Sequence, residues 1–351
     1  KDHWILTPQK KMKRNGELHI NDSGTAYRFL IARTASIQRS KYSIKATEQL
    51  ISRPIEPLLD ILEKMGSSIV KQNYTLKVNG TYLNGGVYDL PADISSQFIS
   101  SLLLIAPSYK NDLELFLEGD IVSRTYIDMT IKIMQDFGVI VDFDGSRIFI
   151  QAGQEYNDLS EYNIEPDFSS SCYFWALGAL SKSAVSTNTI QQTSLQPDYN
   201  FLTLLKKIGA RIEISKNKIE VIRNEIKGIT INMRNMPDQV PTLVILALFA
   251  DSKTKITNIE HLKYKESNRI EALEVELLRI GASVSYENGT LTVIPLNSIP
   301  GSVTLNSYHD HRLVMAFHIL KLIFPQITIT NSSSVEKSYP NFLNDIKSIK
   351  I

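Results

Sequence analysis

A single cysteine, Cys172, occurs in 351 residues. The chain therefore forms no disulfide within itself and builds no cysteine-rich metal site. Charge of one sign is lacking too: 38 basic residues face 37 acidic ones, a formal net charge of +1. With no basic tract to bind it, a nucleic-acid partner is not expected, nor a charged membrane surface. No apolar run reaches the ~20 residues that a membrane-spanning helix needs. The opening residues, KDHWILTPQ, have the pattern of neither a signal nor a transit peptide. A protein of a reducing cytoplasm is expected. Its balance, 43% apolar and 21% charged residues, is that of a globular chain, long enough for two domains.

The strongest pattern present is a repeat. LLDILEKMGSSI, MTIKIMQDFGVIV, FLTLLKKIGARI and EVELLRIGASV each read as an amphipathic helix closing on a glycine. The glycines fall at 66, 138, 209 and 281, in steps of 72, 71 and 72. Glycine just past a last helical turn takes positive φ without steric cost. The segments YTLKVNG, RIFIQAG, KIEVIRN and TLTVIPL then predict a returning hairpin strand after each. A second series keeps the same beat: Asp22, Asp93, Asp167, Asp238 and Asp310 each precede an unusually apolar helix. Such helices are expected to be buried, with the Asp and Ser residues before them as N-caps. The predicted unit is strand, buried helix, strand, outer helix, hairpin. HWILTP reads as the returning strand of one more unit, so the natural chain is expected to extend roughly 60–70 residues upstream. Six units, three per domain, are expected. EYNIEP marks the crossing between an N-terminal domain over 1–163 and a C-terminal domain over 164–351.

Polar chemistry crowds the helix heads. Thr25 and Arg28, Ser95-Ser96-Gln97, Ser169-Ser170-Ser171 and His311-Arg312 stand at the buried helices. Arg53, Ser123 with Tyr126, Lys265 with Glu266 and Arg269, and Lys337 stand at the outer ones. A helix N-terminus offers free N–H groups and partial positive charge, and arginine forks suit phosphate and carboxylate. If repeat symmetry points these ends together, the ligand is a small polyanion. SYHDHRLVMAFHILKL, from Ser307, admits a metal site of His309, Asp310 and His311 instead. Three adjacent side chains at a helix start diverge, however, and no second ligand cluster accompanies them. Asp310 is better read as a cap, with His311 and Arg312 facing an anion.

These motifs resemble the 5-enolpyruvylshikimate-3-phosphate synthase (3-phosphoshikimate 1-carboxyvinyltransferase) family along the whole chain. SGTAYR, SRPIEPLLDILEKMG, DISSQFISSLLLIAP, YIDMT, EPDFSSSCYF, MPDQVPTLVILALFA, YKESNRIEAL, HDHRLVMAF and EKSYPNF follow in the family's order. The resemblance implies an α/β fold of two domains, built from repeated βαβαββ units with pseudo-threefold symmetry, buried helices and outer sheets. It implies transfer of enolpyruvyl from phosphoenolpyruvate to the 5-hydroxyl of shikimate 3-phosphate, with no metal and no organic cofactor, by a monomeric cytoplasmic enzyme. Carried over by motif, Ser95, Ser96, Gln97, Ser123, Tyr126, Asp238 and Lys265 hold shikimate 3-phosphate. Asp22, Gly24, Arg53, Gln97, Arg269, Arg312 and Lys337 hold phosphoenolpyruvate. Asp238 takes the hydroxyl proton, Glu266 protonates the methylene carbon, and Lys337 joins them in catalysis. Read from the residues alone, Asp238 serves equally as a helix cap and Glu266 as an i,i+3 partner of Arg269.

Departures from the family pattern are Asp22-Ser23 for Asn-Ala, Phe29 for Pro, Asn268 for Asp and His261 for Asn. The family's Lys-Ser-x-x-x-Arg loop, part of its first unit, has no counterpart from Lys1 onward. Two rivals remain: a UDP-N-acetylglucosamine enolpyruvyl transferase, which carries a reactive loop cysteine, and a non-catalytic fragment or binding protein on the same scaffold.

Overall fold

The structure, a computed structural model, describes residues 4–7, 13–188, 193–296, 298 and 301–349. The chain forms two compact units. One holds residues up to Pro91, Gln97–Gly119 and Ile133–Asn157; the other holds Ala92–Ser96, Asp120–Lys132 and Asp158–Ile351.

The first unit contains two four-stranded sheets of one design. Asn15–Ile20 runs parallel to Ser40–Ala46, which pairs antiparallel with Thr75–Gly80, the inner arm of a hairpin with Ser68–Gln72. Gly86–Pro91, Leu113–Glu118, Arg147–Ile150 and Asp142–Phe143 repeat that order and those directions. A helix joins each parallel pair, since parallel neighbours need a long crossover: Gly24–Ala35 in one case, Ser96–Ile105 in the other. The returning strands alternate as expected, Thr75–Gly80 burying Leu76, Val78 and Gly80 and turning the residues between them outward.

The second unit carries the pattern in one full copy and two partial ones. Thr230–Asn232, Thr254–Thr257, Thr290–Ile294 and Ser283–Glu287 form the full sheet. Asn288 and Gly289, both at positive φ, make the two-residue turn that suits a right-twisted hairpin. Val185–Asn188, Lys218–Ile222 and Arg211–Ser215 form three strands of another copy, and Val303–Leu305 with Ile327–Ile329 the parallel pair of the last. The helices Phe168–Leu180, Val240–Ala247 and His311–Ile323 pack on one another pairwise. Every residue of Val240–Ala247 is buried, which is why its sequence is apolar all round. These three helices form the centre of the unit's single core.

The four repeat glycines close their helices by one device. Gly66, Gly138, Gly209 and Gly281 all have positive φ. Each donates its N–H to the carbonyl three residues back, and the next residue donates to the carbonyl five back, as Gly209 does to Lys206 (3.1 Å) and Ala210 to Leu205 (2.9 Å). This is the Schellman pairing that satisfies a helix's last carbonyls.

Three expectations change. Trp4–Thr7, the described part of HWILTP, forms no strand, and Trp4, Ile5 and Leu6 are exposed; no backbone partner lies alongside among the described residues. His3 and Pro8 lie outside the described residues. The Gly24–Ala35 helix is not wholly buried: Thr25 and Arg33, two turns apart, form an exposed stripe. Lastly, Asp167 and Asp310 cap a helix with their side chains, through the Ser170 N–H (3.2 Å) and the Arg312 N–H (2.9 Å), while Asp22 and Asp238 do not. Ser23, not Asp22, caps Gly24–Ala35. Gln239 holds the cap position before Val240–Ala247, which leaves Asp238 free of that duty.

Candidate active site

The second unit gathers its charges around Arg269. This first residue of the Arg269–Arg279 helix is 1% exposed. Its Nε donates to Asp310 Oδ2 (2.8 Å) and its Nη2 to Asp310 Oδ1 (3.3 Å). Nη2 also donates to Glu266 Oε2 (2.9 Å), and Nη1 to Asp238 Oδ1 (2.8 Å). A guanidinium has five N–H groups; four of these are engaged by three carboxylates. Asp310 therefore caps one helix and anchors the first residue of another. Arg312 Nη2 lies 3.1 Å from the second oxygen of Asp238, and its Nη1 donates to the Tyr173 hydroxyl at 3.3 Å. Lys337 Nζ donates to Glu266 Oε1 at 3.0 Å. Three carboxylates and three cations thus interlock without a cap role for Asp238 or Glu266. The pairing of Glu266 with Arg269 exists, but Lys337 takes its other oxygen.

The electrostatics follow from this crowding. Burial works against ionisation of Asp238, yet Arg312, Arg269 and Lys265 outweigh it and hold its carboxyl well below the usual range. Burial, then Arg312, pushes His311 down to about 4. Burial, then Lys265, pushes His261 down to about 3. Both imidazoles are neutral at physiological pH. Buried polar atoms without a partner are rare in folded proteins, and this neighbourhood holds four: Asp198 Oδ1, His261 Nε2, His311 Nδ1 and Arg312 Nε. Such a cluster suits a polar ligand. His309 is exposed, Asp310 is wholly buried on Arg269, and His311 Nδ1 stands 3.9 Å from Asp310, so the three side chains diverge.

Of the other expected residues of this unit, Ser96 and Ser123 are buried, while Ser95, Tyr126 and Lys265 are half-buried. Ser123 sits at φ 54, just before the Arg124–Asp136 helix. Tyr126 has its hydroxyl pushed well up by burial, then by Asp198 and Asp238, which places it beside the same carboxylates. Cys172 is buried, its Sγ 3.4 Å from the Asp198 carbonyl, and burial, then Asp198, pushes its thiol well up. That is the environment of an inert thiol.

In the first unit, a second cationic group forms around Gly24. Arg28 donates to the carbonyls of Gly24 and Pro54, both at 3.2 Å. A Cβ on Gly24 would stand 2.9 Å from Arg28 Nη1 and 3.0 Å from Arg53 Nη1. A larger residue there would push against both guanidiniums at the helix start. Gln97 donates to Thr25 at 3.1 Å. Asp22 is turned elsewhere, its carboxylate accepting the Thr47 hydroxyl.

Tyr173, Gln239 and Asp198 belong to the cluster of the second unit and escaped the sequence reading. Asp198 had a signal: SLQPDYNF opens the Phe201–Lys207 outer helix, the one outer head passed over in the beat.

Comparison with known proteins matches this architecture. A profile described as EPSP synthase (3-phosphoshikimate 1-carboxyvinyltransferase) covers residues 1–346. The 3-phosphoshikimate 1-carboxyvinyltransferase of Buchnera aphidicola subsp. Cinara cedri is 34% identical over 344 residues, 96% of this chain and 78% of that protein. That of Methanocaldococcus jannaschii is 34% identical over 356 residues, 99% of this chain and 82% of that protein. Among solved structures, EPSP synthase from Acinetobacter baumannii superposes with a TM-score of 0.73 at 23% identity, covering 95% of this chain and 78% of that one. The enolpyruvyl transferase NikO from Streptomyces tendae reaches 0.69 at 12% identity, covering 95% and 94%. At such identities these two speak for the two-domain enolpyruvyl transferase fold alone. With the family profile along nearly all of its length and relatives at one-third identity, the chain belongs to the EPSP synthase (3-phosphoshikimate 1-carboxyvinyltransferase) family.

Proposed function

We propose that the chain transfers the enolpyruvyl group of phosphoenolpyruvate to the 5-hydroxyl of shikimate 3-phosphate and releases phosphate. The hydroxyl oxygen adds to C2 of phosphoenolpyruvate as the methylene carbon gains a proton. Loss of phosphate, with a proton from the new methyl group, then restores the double bond. This chemistry calls for proton transfer on two partners and for cations around several anionic oxygens.

One observation carries the reading. Asp238 and Glu266, two carboxylates that cap no helix, stand among Arg269, Arg312 and Lys337. In this scheme Asp238 takes the hydroxyl proton, Glu266 protonates the methylene carbon, and Lys337 stabilises the charge that develops. Ser95, Ser96, Gln97, Ser123, Tyr126, Asp238 and Lys265 hold shikimate 3-phosphate. Asp22, Gly24, Arg53, Gln97, Arg269, Arg312 and Lys337 hold phosphoenolpyruvate. Arg269 and Lys337 reach a ligand anion by exchanging a protein carboxylate for it. Asp22 contributes through its backbone or by leaving Thr47. No metal or organic cofactor enters the scheme. The inert setting of Cys172 favours it over transfer to UDP-N-acetylglucosamine. The domains 1–163 and 164–351, a monomeric state and a cytoplasmic location complete the proposal; among the described residues no helix is long and apolar enough to cross a membrane.

The test is phosphate release from phosphoenolpyruvate. It should require shikimate 3-phosphate and survive EDTA. Turnover with UDP-N-acetylglucosamine as acceptor, or none with shikimate 3-phosphate, would reject the assignment.

A further inference from the structure

Asp198 lies outside every role assigned so far. It sits in the Pro197–Asn200 turn and is wholly buried. A carboxyl removed from water needs donors or a counter-charge. Its Oδ2 receives the Ser169 hydroxyl and Gln239 Nε2, the latter at 3.1 Å, while Oδ1 receives no hydrogen bond. Ser169 lies in the first turn of the Phe168–Leu180 helix, and Gln239 holds the cap position of Val240–Ala247. One carboxyl therefore ties together the heads of two buried helices. Gln239 Nε2 also reaches the Ser169 carbonyl at 3.3 Å, and Gln239 follows Asp238 directly in the chain.

A neutral amide would offer the same two acceptor contacts with a smaller desolvation cost. A charge at this position has a use only where another group senses it. Asp238 is that group: it opposes ionisation of Asp198, and the effect is mutual. Because Arg312 and Arg269 hold the Asp238 carboxylate firmly ionised, they make it a weak base. A second carboxylate behind it works against them.

We propose that Asp198 is a positioning residue for Asp238. Through its hydrogen bond with Gln239 it fixes the turn that carries Asp238, and its charge acts against the pull of Arg312 and Arg269 on that carboxylate. The inference rests on the reading of function given above.

The groups facing Asp198 come from four elements. They are Ser169 and Cys172 of Phe168–Leu180, Asp238 and Gln239 of the Pro237–Gln239 turn, Arg312 of His311–Ile323, and Tyr126 of Arg124–Asp136. Burial, then Asp198, pushes both the Cys172 thiol and the Tyr126 hydroxyl well up, so neither titrates near neutrality. Asp198 does: burial, then Asp238, raises its carboxyl to about 6. Below that pH its charge, and its push on Asp238, are lost.

The test is the pH profile of kcat/KM, which reports groups of the free enzyme, for the intact wild-type chain and Asp198→Asn. The wild type should lose rate below about pH 6. The variant should turn over about ten-fold more slowly near neutrality, with KM for both substrates within about two-fold, and should lack the limb near 6. Equal kcat with the limb still present overturns the proposal; no wild-type turnover overturns the function on which it rests. If Asp198→Asn does not fold, Ser169→Ala replaces it. Removing one donor from the carboxylate favours its protonation, so the limb should move above 6, and an unmoved limb counts against the proposal. A carbon-13 titration of the Asp198 carboxyl needs no turnover: a midpoint near the ordinary value of about 4 would also overturn it.

Discussion

Lys337 Nζ and Glu266 Oε1 lie 3.0 Å apart, and their residues stand 71 positions apart in the chain. That separation is one repeat, so the pair joins equivalent heads of successive outer helices. Gln97 and Thr25 are likewise joined across 72 positions, and Gln239 and Ser169 across 70. The period of the sequence has become a contact distance. Glu266 is held from both sides, by Arg269 and Lys337, and in the proposed reaction it is the proton donor to the methylene carbon. Glu266→Gln should therefore lower kcat by about 10²-fold or more while both substrates still bind. Phosphate release measures the first and calorimetry the second; near-normal turnover would make Glu266 structural.

Arg269 and Arg312 should separate stability from binding. Arg269→Leu leaves the wholly buried Asp310 without its counter-ion, and breaking such a pair costs about 3–5 kcal/mol. Urea unfolding should show a lowered midpoint. Arg312→Ala removes a more accessible partner and should weaken phosphoenolpyruvate binding, with the smaller loss of stability. The reverse ranking would mean that the two arginines have been given each other's tasks.

His311 makes stability depend on pH with a definite sign. Its folded value is about 4, against about 6.5 in the unfolded chain. Between those values the unfolded state binds more protons, so stability is full above about 6.5 and falls as pH drops toward 4. The loss amounts to about 3 kcal/mol on this residue. His261, pushed down to about 3, acts in the same direction, and Asp198 in the opposite one. Denaturant titrations at about pH 7.5 and 5 should differ less for His311→Gln than for wild type. An equal difference in the two proteins would place the effect elsewhere.

Gly209 and Gly153 offer a controlled comparison of backbone strain. A Cβ at Gly209 would stand 2.2 Å from the Glu225 carbonyl oxygen at φ 109, whereas at Gly153, φ 75, it meets nothing within 4 Å. Gly153→Ala should cost about 1 kcal/mol from its positive φ alone. Gly209→Ala should cost more, because backbone must also move. Thermal unfolding of the two variants reads the difference, and similar midpoints would show that the helix end shifts freely.

The sequence by itself determined the repeat, the four helix ends, the hairpins and the apolar helices. Each depends on a rule acting over a few residues: glycine tolerates positive φ, a pleat alternates every second side chain, a helix repeats every 3.6. The same short motifs carried the family. Tertiary structure alone decided what the aspartates on the beat do. Asp167, Asp238 and Asp310 look alike before an apolar helix, yet one caps, one pairs with two arginines, and one caps while pairing with Arg269 alone. Arg269 meets Asp238 across 31 positions and Asp310 across 41; Asp198 meets Gln239 across 41. Ion pairs and buried hydrogen bonds at that range are set by how three buried helices pack, and no local pattern encodes which carboxylate a guanidinium will find.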